Sequence, residues 1–196
     1  MSIENTRTTE HKILDIFIER WSPRAFIPTP ITDEELFSIL EAGKWAPSAG
    51  NSQPWKMVYA KREDENWNTF VDNLVPPNQV WAKNASALVF VCSEKEITFP
   101  GQTEAKPATH ASFDAGCAWG YMALQATALG LKAHGMAGID IDKIKATLNV
   151  PDSLKIEMAF AIGKQGDKST LPEPYQAREA PSPRRPISET AFRGSF

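Results

Sequence analysis

The chain has 196 residues, 42% of them hydrophobic and 23% charged, with a formal net charge of −3. That is the ordinary mix of a single globular domain, and it excludes disorder along the whole chain. The acidic balance, without a basic helix or an aromatic-interleaved basic patch, argues against nucleic acid as a partner.

The densest apolar run, residues 117–124, includes Gly120 and is far short of the ~20 residues of a membrane span. Residues 1–20 carry Glu4, Glu10, Asp15 and Glu19, where a secretory signal would show a basic start and an uninterrupted apolar stretch. Cys92 and Cys117 sit in apolar surroundings without CxxC spacing. They suggest neither a disulfide framework nor a thiolate metal site. The expected setting is reducing and cytoplasmic, with no membrane partner.

Ile13, Ile16 and Phe17 share a face at helical spacing and predict a first helix over residues 9–20. Ser22-Pro23 breaks it, because the residue before proline disfavours the helical region. Thr32 followed by Glu35 is a capping-box pattern that opens a second helix, with Leu36, Ile39 and Leu40 as its buried stripe. Residues 56–60 predict a short strand and 64–73 a weaker helix. The apolar run 87–92 predicts a buried strand. Residues 93–110, with Pro100, Gly101 and Pro107, predict a loop.

Residues 112–129 form the most distinctive segment, apolar around almost its whole circumference and closed by Gly130. Such a helix is buried on all sides, and in a chain of this size part of it belongs at a subunit interface. A strand over 132–137, a helix from Asp140 to Leu148 and a strand over 157–162 complete the domain. Residues 164–196 hold Pro172, Pro174, Pro181, Pro183 and Pro186, too many for a core of their own. They nevertheless end in Ala191, Phe192 and Phe196, which predicts an extended arm docked on a partner subunit. The order of elements predicts an α+β fold, one domain over 1–196, with helices covering a small sheet.

Three clusters can carry chemistry. Arg20, Ser22 and Arg24 surround the end of the first helix. Arginine's planar fork suits phosphate oxygens, though arginines at a helix end are also commonplace solvated surface. Residues 46–55 (Ala-Pro-Ser-Ala-Gly-Asn-Ser-Gln-Pro-Trp) form a polar loop. Its amides both donate and accept, as a planar heterocycle would require, or they stabilise a turn. Arg184 and Arg185 lie in the proline-rich arm and gain meaning only if they converge with the first cluster on one anion. His11, His110 and His134 have no metal-ligand spacing, so no metal site is expected. His134, close to Ala137, is a candidate to lie near a bound ligand, but a structural role is the favoured reading. Trp67 and Trp81 are candidates to shape a substrate pocket.

Taken in order, these motifs resemble the FMN-dependent nitroreductase family. The match runs from Arg20-x-Ser22-x-Arg24-x-Phe26 through the 46–55 loop and Ala128-Leu129-Gly130-Leu131. It continues through Gly138-Ile139-Asp140 and Ala161-Ile162-Gly163 to Arg184-Arg185-Pro186-Ile187. The resemblance implies a central mixed, mainly antiparallel sheet and an intertwined homodimer with FMN at the subunit interface. It places Arg20, Ser22 and Arg24 on the FMN phosphate and ribityl chain, with Trp21 among them where many members carry a polar residue. Pro47, Ser48, Asn51 and Gln53 would border the flavin ring, with Asn78 as a looser match. Ala137 and Gly138 would present backbone to flavin N5. Ala137 stands where many members are acidic. Arg184, or Arg185, would complete the phosphate site.

The implied activity is NAD(P)H-dependent reduction of nitroaromatic, quinone or related conjugated acceptors by ping-pong hydride transfer. The chemistry would rest on the flavin, so no catalytic side chain is expected. Alternatives are a same-fold enzyme with a narrow substrate (an enal, a semialdehyde or a haloaromatic) and a non-catalytic FMN-binding or storage protein. The Phe70–Trp81 and Ile97–His110 stretches match no family motif and are expected to face the acceptor.

Overall fold

The alternation of apolar side chains along two central strands builds this fold. In the computed structural model, which describes residues 4–99 and 101–196, strands β1 (Trp55–Lys61), β2 (Ala87–Glu94), β5 (Lys132–Met136) and β6 (Leu154–Gly163) form one sheet. Its order is β1-β2-β6-β5, and all three ladders are antiparallel. Residues 1–3 and Pro100 lie outside the described residues.

Successive strand residues point to opposite faces. Leu88, Phe90 and Cys92 of β2, with Ile156, Ala159 and Ala161 of β6, therefore enter one core. Val89 and Val91, with Phe160 and Ile162, enter another. The first core is closed by α3 (Trp67–Asp72), α4 (Pro76–Ala82) and α6 (Ile141–Leu148). The second is closed by α2 (Asp33–Lys44) and α5 (Ala111–Ala128). Both faces of the sheet are covered, which explains why β2 reads as an unbroken apolar run.

The local signals hold at most boundaries. Thr32 and Glu35 form the complete capping box of α2, and Asp140 caps α6 by accepting from the Lys143 N–H at 3.0 Å. Gly130 adopts φ +73° just past α5. Within the predicted 93–110 loop, β3 (Glu96–Ile97) and β4 (Lys106–Pro107) pair as a short hairpin.

The predicted 9–20 helix shrinks to one turn, α1 (Ile16–Glu19). Much of its stripe is left uncovered: Ile16 is half-buried, but Ile13 and Phe17 are about half exposed and Leu14 more so. So short a helix is not sustained by propensity alone. The helix α4 was not anticipated, because its sequence opens Pro-Pro. Proline at the first helical position is favourable, however, since that N–H has no helical partner. Trp67 and Trp81 are core residues, 8% and 1% exposed, and not pocket walls.

The helix α5 is covered by the sheet and by α2, where Met122 lies against Gly43 and Gln125 donates to Ser38, but not on its remaining face. Phe113 is 78% exposed, and Gly116 and Gly120 have open space where a Cβ would be. The C-terminal arm divides in two. Its first half packs on its own chain: Gln165 bridges Phe26, the Gly166 N–H donates to Ala25 O at 2.7 Å, and Leu171 and Glu179 are buried. The Tyr175 hydroxyl reaches Pro77 O at 2.9 Å. Residues 182–196 are exposed.

Candidate functional site

Because α1 stops at Glu19, Arg20 is extended, and the chain then passes His134 of β5, whose Nδ1 meets Pro23 O at 2.8 Å, before Phe26 bridges Gln165. Three chain segments meet there. Arg7 straps them together, its guanidinium donating to Ile18 O (3.1 Å), Arg20 O (2.8 Å) and Ser182 O (2.8 Å). The result is a cavity of about 340 Å³ lined by Arg7, Arg20, Trp21, Ser22, Arg24, His134, Arg178, Ala180, Ser182 and Arg184. Arg20 Nη1 donates to Ser22 Oγ at 3.3 Å.

Five arginines in one cavity oppose one another. The Arg20 guanidinium is held below its ordinary pKa, first by burial and then by the charge of Arg184. Arg7 is shifted the same way, by burial, Arg184 and Arg20. The carboxylate paired with the cluster is Glu179, whose Oε2 lies 3.9 Å from Arg24 Nη1. Glu179 itself is fully withdrawn. Its Oε1 accepts from the Arg24 and Ala25 N–H groups at 2.7 and 2.8 Å, which pins the arginine loop to the arm. Such a set of guanidinium donors around a hydroxyl fits a phosphate monoester, whose oxygens accept several charge-assisted hydrogen bonds and whose charge offsets the mutual repulsion.

Arg20, Trp21, Ser22, Arg24 and Arg184 are thus brought together. Arg185 is not: it lines a neighbouring groove with Ile13, Phe17 and Ile187. Sequence reasoning missed Arg7, Arg178 and Glu179, which lie outside every motif. His134, for which the sequence favours a structural role over one near the ligand, lines the cavity. Burial, with Arg24 and Arg20 nearby, pushes the His134 imidazole down to about 4, so the ring is neutral near pH 7. Cys92 is an inert thiol, pushed up to about 11 by burial and by Glu157.

A second group sits at the end of β5. Asn78 Nδ2 donates to Gly138 O at 3.0 Å, and the Val75 N–H donates to the same oxygen at 3.2 Å. A Cβ on Gly138 would lie 2.7 Å from Asn78 Nδ2 and 2.8 Å from Val75 Cγ2. Gly138→Ala is therefore expected to displace Asn78 and cost roughly 1–3 kcal/mol, as overpacking does. Chemical denaturation checks this, and an unchanged midpoint would show that the contact is dispensable. Ala137, beside it, is exposed.

The third group is the loop of Pro47, Ser48, Asn51 and Gln53. Gly50, Asn51 and Gln53 all have positive φ (57°, 53° and 49°), an unusual density of left-handed backbone. The Ser48 hydroxyl accepts from the Gln53 N–H at 3.0 Å, and Asp114 of α5 accepts from the Ala49 N–H at 3.1 Å. The hairpin segment after β3 folds onto this loop, with the Phe99 ring 2.8 Å from where a Gly50 Cβ would stand. The loop leads into β1, at the opposite edge of the sheet from β5. Three strand spacings, about 14 Å, separate those edges. Within one chain the loop does not line the arginine cavity.

A model of the nitroreductase family matches residues 18–164. An uncharacterized 15.4 kDa protein of Mycolicibacterium smegmatis is 34% identical over 138 residues, covering 70% of this chain and 88% of that protein. A Thermus thermophilus protein named NADH dehydrogenase is 29% identical over 203 residues, covering 89% of this chain and 92% of that one. A crystal structure described as an oxidoreductase containing FMN superposes with a TM-score of 0.94 at 48% identity, covering 100% of this chain and 98% of the other. A nitroreductase family protein from Streptococcus pneumoniae shares the fold, with a TM-score of 0.74 at 19% identity, over 93% of this chain and all of the other. With this fold, and with the family model spanning both the Arg20–Arg24 motif and the 46–55 loop, the chain belongs to the nitroreductase family.

Proposed function

We propose that this protein is an FMN-dependent oxidoreductase that takes hydride from NADH or NADPH. It passes the electrons to a nitroaromatic, a quinone or a related conjugated acceptor by a ping-pong cycle. The observation that carries this reading is the convergence of Arg7, Arg20, Arg24, Arg178 and Arg184 around Ser22 in one cavity. When bound, the flavin supplies the hydride chemistry itself. The arginines and Ser22 hold its phosphate. The Ala137–Gly138 backbone, steadied by Asn78, faces the ring, and the neutral His134 adds no charge to the phosphate cavity.

The ring-facing loop of Pro47, Ser48, Asn51 and Gln53 comes from a second copy of the chain in this proposal, because it stands at the far edge of its own sheet. Exposed apolar surface supports the same homodimer: Ile13, Leu14 and Phe17, Phe113 on α5, and Ile187, Phe192 and Phe196 in the arm are 47–108% exposed. Monomers rarely leave so much large apolar surface open. Phe99, over that loop, then borders the acceptor. The setting is cytoplasmic; among the described residues no helix is long and apolar enough to cross a membrane.

The test is a visible absorption spectrum of the purified protein, repeated anaerobically with NADH and with NADPH. A yellow protein that bleaches with either donor is expected. A yellow protein that never bleaches would reduce the reading to flavin binding without turnover. A colourless protein that takes up no added FMN would overturn it.

A further inference from the structure

The arginine cavity is built almost wholly of donors. Guanidinium groups donate and never accept. Ionised phosphate oxygens only accept and need nothing else. A phosphate ester on a hydroxylated chain needs more, because each hydroxyl drawn into the cavity brings an O–H that costs free energy if it finds no acceptor. Ser22 and Ser182 can serve either way, and Ser22 Oγ already receives Arg20 Nη1. Glu179 is an acceptor, but its side chain is 0% exposed and absent from the cavity wall.

His134 is different. Its Nδ1 lies 2.8 Å from Pro23 O. A carbonyl oxygen only accepts, so Nδ1 carries the proton, and in a neutral ring Nε2 is then a bare acceptor. Burial, then Arg24 and Arg20, keep the ring neutral against the backbone carbonyls of Pro23 and Ser22, which favour its protonated form. It is also held in place. Trp81 packs against it with ring centroids 4.4 Å apart, and β5 anchors its backbone opposite Ala161. Among the side chains of the cavity wall, it alone offers a group that can accept and not donate.

We propose that His134 Nε2 accepts a hydrogen bond from a chain hydroxyl next to the ligand's phosphate, so that the cavity selects polyol phosphates over bare phosphate. This rests on the assignment of the arginine cavity to a phosphate ester. It makes His134 a specificity residue of that cavity.

The experiment is calorimetric titration of the full chain, dialysed free of flavin, with ribitol 5-phosphate and with inorganic phosphate. The wild-type protein is expected to bind the polyol phosphate about tenfold more tightly. His134→Asn places an amide N–H near the Nδ1 position and removes the Nε2 acceptor. It is expected to abolish the preference while leaving phosphate affinity unchanged, which also reports that the cavity is intact. His134→Gln carries an amide oxygen to the Nε2 position and is expected to restore part of the preference. A preference that survives in His134→Asn overturns the proposal. So does equal loss of both ligands, which would make His134 a purely structural residue. Failure of the wild type to bind either ligand would remove the phosphate assignment as well. Binding of ribitol 5-phosphate by a protein that rejects FMN would remove the flavin reading alone.

Discussion

Arg20→Met is expected to weaken FMN binding by about 10- to 100-fold while leaving the ligand-free protein as stable as before, or more so. The two effects share one cause. Arg20 sits in a cavity with four other guanidinium groups, and its own pKa is held down by burial and by Arg184. Removing it relieves like-charge repulsion, and methionine keeps much of the apolar stem that packs there. The bound phosphate loses one charge-assisted donor. Hydrogen bonds to charged groups contribute about 1.5–3 kcal/mol, which sets the affinity range. Flavin fluorescence titration measures the first effect, and thermal unfolding without flavin measures the second. Unchanged affinity would remove Arg20 from the phosphate site. A large fall in ligand-free stability would show that its packing, and not its charge, dominates.

The second large effect is expected at Glu179. Glu179→Ala leaves the Arg24 and Ala25 N–H groups without the acceptor they now share at 2.7 and 2.8 Å. Two orphaned donors at about 1–3 kcal/mol each, lowered by partial access of water from the new cavity, suggest a loss of roughly 2–4 kcal/mol. The arginine loop should also lose its shape, so FMN affinity should fall although Glu179 touches no ligand. Glu179→Gln keeps an amide oxygen for both N–H groups and should fold nearly as well. Urea denaturation of the two variants separates these outcomes. If alanine proves as stable as wild type, the arm does not pin the arginine loop.

These two residues also show where sequence reasoning succeeds and where it stops. Arg20 was legible because it belongs to a short local motif whose spacing carries chemical meaning. The capping box at Thr32, the cap at Asp140 and the buried run of β2 were legible for the same reason: each follows from interactions within a few residues. The cofactor-site candidates Ser22, Arg24 and Arg184 came with the family motif, and the fold places them in one cavity with Arg20. Glu179 and Arg7 carried no such signal. Each is a lone charge in an irregular segment, and its role comes from contacts 154–155 and 11–175 residues distant along the chain. The first helix was over-read because Ile13, Ile16 and Phe17 have the right period, but periodicity records only that a face is apolar.

The sequence by itself determined the domain class, the sites of most helices and strands, and the motifs that mark the family, because these rest on local backbone preference and on the alternation of apolar residues. Only the tertiary structure decided which arginines share a cavity, that Arg184 and not Arg185 joins them, that the arm's first half belongs to its own chain, and that His134 faces the site. Those outcomes depend on how the ends of β5, the arginine loop and the arm meet in space. Such contacts join residues far apart in the chain, and no short-range pattern encodes them.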